Sequence, residues 1–588
     1  MTSFRIERFE FNAAALRRWS TTDPRHRNWP VVYTLDADGS SIAEREIYIG
    51  ESLNALGRLE QHLASDKRRL ASASVIVDGE FNKSACLDLE SLLIRLFAGD
   101  GKFQVLNGND GITEADYFDR HRYQARFDEI VDELRESGLF TQDREAIENS
   151  DLFKLSPFKA LTDDQAATVE NVLEALFADL EQGRSGTTVL QGEPGTGKTV
   201  IAIYLMKLLE DIRHSNPDDA IDRDSLFADF FMAGHPELLS GFRVGLVVPQ
   251  QSLRRSVERV FEKTPGLSPT MVLTPFDVGE SEAPFDLLIV DEAHRLNQRS
   301  NQPSGVQNKR FRDITTSLFG HDDMTKTQLD WIIAKSCRQI LLIDPEQSVR
   351  PGDLPRATLD QLVSTAKDEQ RYCHLWSQLR VRAGDDYMRW AQSLVSDRPI
   401  HAPTFAEYDL RLFTDLAAMR ETILDREREA GLARLIAGYA WEWKSKNDRS
   451  ATDIEIDGVE LQWNRTATDW VNSPGSINEV GSIHTIQGYD LNYAGVIIGR
   501  DVRYDPIARR VFFDRDHYFD KKGVENNRQL GITYTDDDIL RYVRNVYAVL
   551  LTRGIRGTYV FVCDEALREH LRPAFPGGDL DAGQDGVR

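Results

Sequence analysis

Residues 187–199 read Thr-Thr-Val-Leu-Gln-Gly-Glu-Pro-Gly-Thr-Gly-Lys-Thr. The β-branched, apolar opening from Thr187 to Leu190 predicts a short buried strand. It breaks at Gly192 into a Gly/Pro turn and restarts at Val200 as a helix-periodic apolar run through Met206. The turn fits G-x-x-x-x-G-K-T, with Gly192, Gly197, Lys198 and Thr199 in the required places and Gly195 between them. Glycines let the backbone curl until its N–H groups converge on phosphate oxygens, and the helix N-terminus adds positive partial charge. Lys198 would reach the β- and γ-phosphates of ATP, and the Thr199 hydroxyl would ligand Mg²⁺.

Two later strands extend the pattern. Phe285-Asp286-Leu287-Leu288-Ile289-Val290 runs into Asp291-Glu292-Ala293-His294, a Walker B pattern in which Asp291 would hold the Mg²⁺ and Glu292 would polarise the attacking water. Gln339-Ile340-Leu341-Leu342-Ile343 ends in Asp344-Pro345-Glu346-Gln347. Upstream of the turn, Gln165 offers an amide that can both donate to and accept from an adenine edge. Strands alternating with helical segments predict an α/β fold with parallel sheets and the site at their carboxyl edge.

Composition bounds the rest. A chain of 588 residues is too long for one core, and 41% hydrophobic with 28% charged residues is globular rather than disordered. The net charge of −24 argues against a uniformly basic coat but leaves room for a local basic groove. Residues 1–110 are nearly charge-balanced, so the acidity belongs to residues 111–588. Four scattered cysteines without a C-x-x-C pair, no long apolar run and no apolar N-terminal segment predict a cytoplasmic protein without disulfides.

The first hundred residues carry a second constellation. Val31-Val32-Tyr33-Thr34-Leu35 and Ile47-Tyr48-Ile49-Gly50 are strand candidates around a turn, and a helix opening near Ser52 or Asn54 places Arg58 and His62 on one face. Glu90 lies in the otherwise apolar run Ala85–Ile94, where a carboxylate is costly unless solvated, paired or bound to metal. Asn107 comes next, in a Gly/Asn-rich loop. In this order Tyr33, Tyr48-Ile49-Gly50, Arg58, His62, Glu90 and Asn107 resemble the GIY-YIG nucleases, with Val31-Val32 in place of that family's first glycine and isoleucine. The resemblance implies hydrolysis of phosphodiesters with one divalent metal, Mg²⁺ or Mn²⁺, on Glu90. Tyr33 would deprotonate or orient water once its pKa is lowered, and Tyr48 would line the site. Arg58 would stabilise charge, His62 would relay protons and Asn107 would brace the site.

The larger part resembles the Schlafen-like superfamily 1 helicases over residues 156–565. Gly245-Leu246-Val247-Val248-Pro249-Gln250 matches motif Ia, and Gln347 falls where a γ-phosphate sensor is kept. Leu375-Trp376-Ser377-Gln378-Leu379-Arg380 matches motif IV. His484-Thr485-Ile486-Gln487-Gly488-Tyr489-Asp490 matches motif V, which couples nucleotide to strand through Gln487 and Gly488. Tyr547 to Gly554 matches motif VI. The resemblance makes Arg380 and Arg553 arginine fingers, worth on the order of 10³–10⁵ in rate in related phosphoryl transfer. It also makes nucleic acid the partner, DNA before RNA, with Trp376, Trp441, Trp443, Trp463 and Trp470 divided between base stacking and core packing.

The expected organisation is a GIY-YIG domain at 1–112, a helical linker at 113–155 and a disordered tail at 575–588. Between them lie RecA-like domains at 156–355 (insertions near 211–242 and 296–330) and 356–574 (insertion near 501–530). Three functions fit: a nuclease–helicase of restriction-type or anti-phage defence, a repair helicase that nicks structured intermediates, and an ATP-driven remodelling switch with an inactive nuclease module. In each, a regulatory protein or a second copy of the chain could gate the activity.

Overall fold

The computed structural model describes residues 4–37, 45–108, 117–215, 227–232, 234–299, 304–377, 383–401, 405, 408–466, 470–473, 475–486, 489–528 and 530–576. The chain divides into two compact units. One comprises 1–181, 199–241 and 256–271; the other comprises 182–198, 242–255 and 272–588.

In the first unit, β1 (Phe4–Glu10), β2 (Val31–Ala37), β3 (Glu46–Ser52), β4 (Ser72–Asp78) and β5 (Gln104–Val105) form a sheet in the order β1-β4-β2-β3-β5. All neighbours are antiparallel except β3 and β5. Alternation along β2 splits its side chains between two cores. Val31, Tyr33 and Leu35 pack with Ala55 and Leu59 of α2 (Ala55–Leu63) and Leu16 of α1 (Ala13–Ser20). Val32 packs with Ile47 and Ile49 against Leu89, Leu93 and Phe97 of α3 (Lys83–Asp100).

Asparagine side chains start the two site helices: Asn54 accepts from Gly57 N on α2, and Asn82 accepts from Ala85 N on α3. The stripe Phe127, Ile130, Val131 and Leu134 on α4 (Arg120–Glu136) enters the α3 core, as its spacing demands. Two short helices come next, α5 (Arg144–Asn149) and α6 (Asp151–Lys154), and then α7 (Asp163–Glu181). The unit also holds α8 (Lys198–His214) from its second residue on, and α9 (His235–Leu238).

The second unit contains two parallel sheets. β6 (Gly186–Gly192), β7 (Val244–Val247), β8 (Val272–Leu273), β9 (Phe285–Val290), β10 (Ser336–Ile343) and β11 (Tyr372–Leu375) assemble in the order β11-β6-β10-β9-β7-β8. α10 (Gln251–Lys263) comes after β7. Leu287 to Val290 and Ile340 to Ile343 are buried without alternation, as strands covered on both faces must be.

The boundary expected at 355/356 is corrected here. β11 pairs with β6, Leu375 beside Gly192, so the first sheet extends to Leu375 and the sheets change after it. A strand register is a tertiary fact, and an apolar tetrapeptide fits either sheet.

The second sheet runs β12-β20-β17-β13-β16-β15-β14. Its strands are β12 (Asp409–Phe413), β13 (Ala433–Ala437), β14 (Ile454–Ile456), β15 (Val459–Trp463), β16 (Glu479–Ser482), β17 (Leu491–Ile498) and, after the hairpin β18 (Val502–Asp505) and β19 (Arg510–Phe513), β20 (Gly554–Val562). Only β14 is antiparallel to its neighbour.

The segment around 501–530 does not stand apart as an accessory lobe. Asp520 takes Arg350 at 3.2 Å, and Asn527 donates to the carbonyl of Arg299 at 2.7 Å. It thus packs on loops that leave the first sheet. The expected tail starts later than 575, because Phe575 is buried edge-on to Trp390; residues 577–588 lie outside the described residues.

Candidate functional site

Three adjacent parallel strands, β6, β10 and β9, end at one edge, and the loops leaving them carry the nucleotide-site residues. Gly195 and Gly197 stand at φ +88° and +84°, a region that strains any residue with a Cβ. At Gly192 a Cβ would lie 2.5 Å from Thr196 Oγ1, so the turn closes only over glycine. Lys198 is buried, and its ammonium donates to the carbonyls of Gly192 (2.6 Å) and Glu193 (3.0 Å). It also stands 4.0 Å from Asp344. Asp344 accepts from the Gln347 amide at 2.7 Å.

Glu292 adopts φ +50°, a conformation costing a non-glycine residue about 1–3 kcal/mol and concentrated at functional sites. His294 is fully buried; its Nδ1 accepts from the Asp344 N–H at 3.1 Å, which turns Nε2 toward Glu292. That Nε2 lies 3.0 Å from the Glu292 carboxylate, off the axis of a straight hydrogen bond. Burial opposes charge on Glu292, but His294 and Lys198 outweigh it and hold the carboxyl well below its usual range. Asp291 is fully buried beside it and accepts from the Glu292 N–H. One network therefore ties Lys198, Glu292 and Gln347 through Asp344 and His294.

The N-terminal sheet gathers a second set. Tyr33 pairs across the ladder with Gly50, and a Cβ there would fall 2.3 Å from the Tyr33 hydroxyl; the glycine makes room for the ring. The Tyr33 hydroxyl is 2.8 Å from His62 Nε2, and the rings of Tyr48 and His62 meet edge-on at 5.1 Å. Arg58 donates to Gln61 Oε1 at 3.1 Å and lies near enough for its charge to act on both tyrosines. Asn107 accepts from the Ile49 N–H and donates to its carbonyl, clamping the strand between Tyr48 and Gly50. Glu90, on α3, is near enough for its charge to act on Tyr33 and Cys86.

The expectation of a lowered Tyr33 pKa is corrected. Burial, reinforced by Tyr48, raises it above its ordinary value, and Arg58 only partly offsets this. His62 moves the other way, to about 4, through burial and the charges of Lys67 and Arg58. At neutral pH the pair is a protonated tyrosine donating to a neutral imidazole.

Comparison with known proteins decides the larger part. The model of the Schlafen group 3 DNA/RNA helicase domain matches residues 185–564. The chain belongs to this Schlafen group 3 helicase family. An uncharacterized protein of Saccharomyces cerevisiae is 27% identical over 450 residues, covering 70% of this chain and 91% of that protein. Two solved Pif1 helicases are also similar. The Bacteroides structure with ADP-AlF3 and ssDNA is 10% identical, covers 68% of this chain and 92% of that one, and has a TM-score of 0.26. The Candida albicans structure is 11% identical, covers 70% and 97%, and has a TM-score of 0.27.

The remaining expected residues of this Schlafen group 3 chain fall in several places. Gln165 is buried at the start of α7, where its side chain accepts from Thr162 N. Thr199 is half-buried in the first turn of α8. Arg553 is buried inside the second sheet's layer, donating to the carbonyls of Val549 and Tyr489. Arg380, Gln487 and Gly488 lie outside the described residues. Trp463 and Trp470 are core residues, whereas Trp376 is 70% exposed.

The ligands expected for metal, Glu90 for a nuclease ion and Asp291 with Thr199 for a nucleotide's Mg²⁺, bring one carboxylate each. Among the described residues no three His, Cys, Asp or Glu side chains form a fuller cage. Asp344 and His294 are the residues of this network that the sequence leaves without a role: they come together only once β9 and β10 lie side by side.

Proposed function

We propose that this chain is an ATP-driven nucleic-acid translocase whose N-terminal module hydrolyses phosphodiesters, with DNA the favoured substrate. The observation that carries the nuclease half is the contact of Tyr33 with His62 beside Tyr48 and Arg58, on a strand clamped by Asn107 and within reach of the Glu90 charge. The motor half rests on family membership and on the Lys198–Asp344–His294–Glu292 network.

In the nuclease module, Tyr33 orients a water and passes its proton toward the neutral imidazole of His62, whose Nε2 lies 2.8 Å away. Arg58 neutralises charge gathering on the phosphate. A divalent ion on Glu90 would supply Lewis acidity. In the motor, Glu292 is held ionised to orient the attacking water, Lys198 faces the phosphates, and Gln347 reports on them to Asp344. Asp291 and Thr199 would hold the nucleotide's Mg²⁺, and Gln165 would read the adenine edge. Arg553 would serve as a finger only after leaving its carbonyl partners. Arg380, Gln487 and Gly488 keep the finger and coupling roles that their motifs propose.

The pairing of cutter and motor suits restriction-type or anti-phage defence. Repair nicking of structured intermediates is the second reading. The test is cleavage of plasmid and linear duplex with Mg²⁺ or Mn²⁺, with and without ATP, in wild type, Glu90→Ala and Lys198→Ala. Cleavage lost in Glu90→Ala and altered in Lys198→Ala supports the coupled reading. Intact DNA under every condition, with strand-stimulated ATP hydrolysis retained, overturns the nuclease half.

A further inference from the structure

A polar bracket joins the helix after the motif Ia stretch to the helix that carries Glu90. α10 begins one residue beyond Gln250, and its last turns carry Ser256, Arg259 and Lys263. Ser256 Oγ and Arg259 Nη2 both donate to the Asp151 carboxylate, at 2.7 and 2.8 Å. Lys263 Nζ donates to the carbonyl of Gly101 at 3.0 Å. Gly101, at φ +68°, is the residue that ends α3.

Asp151 opens α6, and the α5–α6 pair is seated on the C-terminal end of α3 at very short range. A Cβ on Gly99 would lie 2.8 Å from both Ile147 Cγ2 and Phe153 Cβ, and one on Gly101 would lie 2.7 Å from Leu152 Cδ1. Polar contacts fix the same seat. Ser150 Oγ donates to the Gly99 carbonyl at 3.1 Å, and Asp100 accepts from the backbone of Thr141 and Gln142. Close-packed elements of this kind move together or jump between discrete arrangements; they do not deform smoothly. Glu90 lies nine residues before Gly99 on the same rigid helix, roughly 14 Å along its axis at about 1.5 Å per residue.

We propose that this bracket (Asp151 with Ser256 and Arg259, and Lys263 with Gly101) transmits the position of α10 to α3, so that the nucleotide and strand state of the motor sets the placement of Glu90. This rests on the nuclease function proposed for Glu90 and names its regulation. Asp151 and Lys263 are positioning residues: they touch neither nucleotide nor scissile phosphate. The coupling is read from the response of α3 itself.

Hydrogen exchange of α3 peptides within residues 84–101 is followed in the full-length chain. The chain is measured alone and with a non-hydrolysable ATP analogue plus single-stranded DNA, beside cleavage with and without ATP. The wild type should change α3 exchange severalfold on adding nucleotide and strand. Asp151→Asn with Lys263→Ala should reduce that change to less than a quarter. Strand-stimulated ATP hydrolysis should stay within about twofold, since the P-loop network is untouched. If the double variant fails to fold, Lys263→Met alone carries the test, and Arg259→Lys, which keeps a cation on Asp151, should preserve the response.

An α3 that ignores nucleotide in the wild type, or a response that survives in Asp151→Asn with Lys263→Ala or in Lys263→Met, overturns the proposal. Absence of cleavage everywhere, with the exchange response present and bracket-dependent, removes the nuclease reading and leaves the link standing.

Discussion

The Tyr33 hydroxyl sits 2.8 Å from Nε2 of His62 beneath Gly50, and burial drives the two pKa values apart. The tyrosine therefore keeps its proton while the imidazole stays free to take one. Tyr33→Phe keeps the ring under Gly50 and removes only the hydroxyl. Single-turnover cleavage should fall by about 10²-fold or more, the scale of a lost general acid–base group, with melting nearly unchanged. Because His62 has its folded pKa depressed to about 4, the stability it contributes is present above its ordinary 6.5 and is lost as pH falls from there through 4. His62→Gln should flatten that acid limb in a melting-temperature profile.

Gly50→Ala tests the packing beneath that pair. The new Cβ would meet the Tyr33 ring at 2.3–2.4 Å, and the ring lies in a closed core. Overpacking of this kind costs about 1–3 kcal/mol. Denaturant unfolding should show that loss together with loss of cleavage, whereas Gly79→Ala, where a Cβ meets nothing within 4 Å, should show neither.

In the motor, His294→Ala removes the group between Glu292 and the Asp344 backbone. Glu292 would lose its strongest favourable neighbour, and its strained φ would lose a support. Steady-state kinetics should show kcat for ATP down by about 10–100-fold, with KM within about threefold, because Lys198 and the glycine turn still bind phosphate. A KM rise with kcat intact would instead place His294 in nucleotide binding.

Asp501 is fully buried beside Tyr547, whose hydroxyl donates to it at 2.6 Å, and burial lifts its carboxyl to about 7. A raised folded pKa means that the folded chain binds the proton more tightly. Its stabilising effect is complete below the ordinary value of 3.8 and disappears as pH rises to 7. Asp501→Asn keeps an acceptor for Tyr547 and buries no charge. Its melting temperature at pH 8 should exceed that of the wild type, by a free energy on the order of 1–4 kcal/mol, with little difference at pH 4.

Local pattern alone made several features legible. The glycine turn at 192–199, the Walker strand ending at Asp291 and the stripe on α4 each arise from spacing that only one backbone satisfies. The order Tyr33, Tyr48, Arg58, His62, Glu90 was likewise readable, since each falls on an element that its neighbours dictate. What the chain could not declare was everything set by partners distant in sequence. Asp344 and His294 acquire meaning because β6, β9 and β10 lie side by side, and β11 joins the first sheet because Leu375 finds Gly192. Burial, which no spacing encodes, reversed the expected tyrosine pKa and turned Arg553 onto backbone carbonyls. Composition and periodicity determine which residues can form an element. Register, desolvation and the company of a buried charge exist only once those elements have packed.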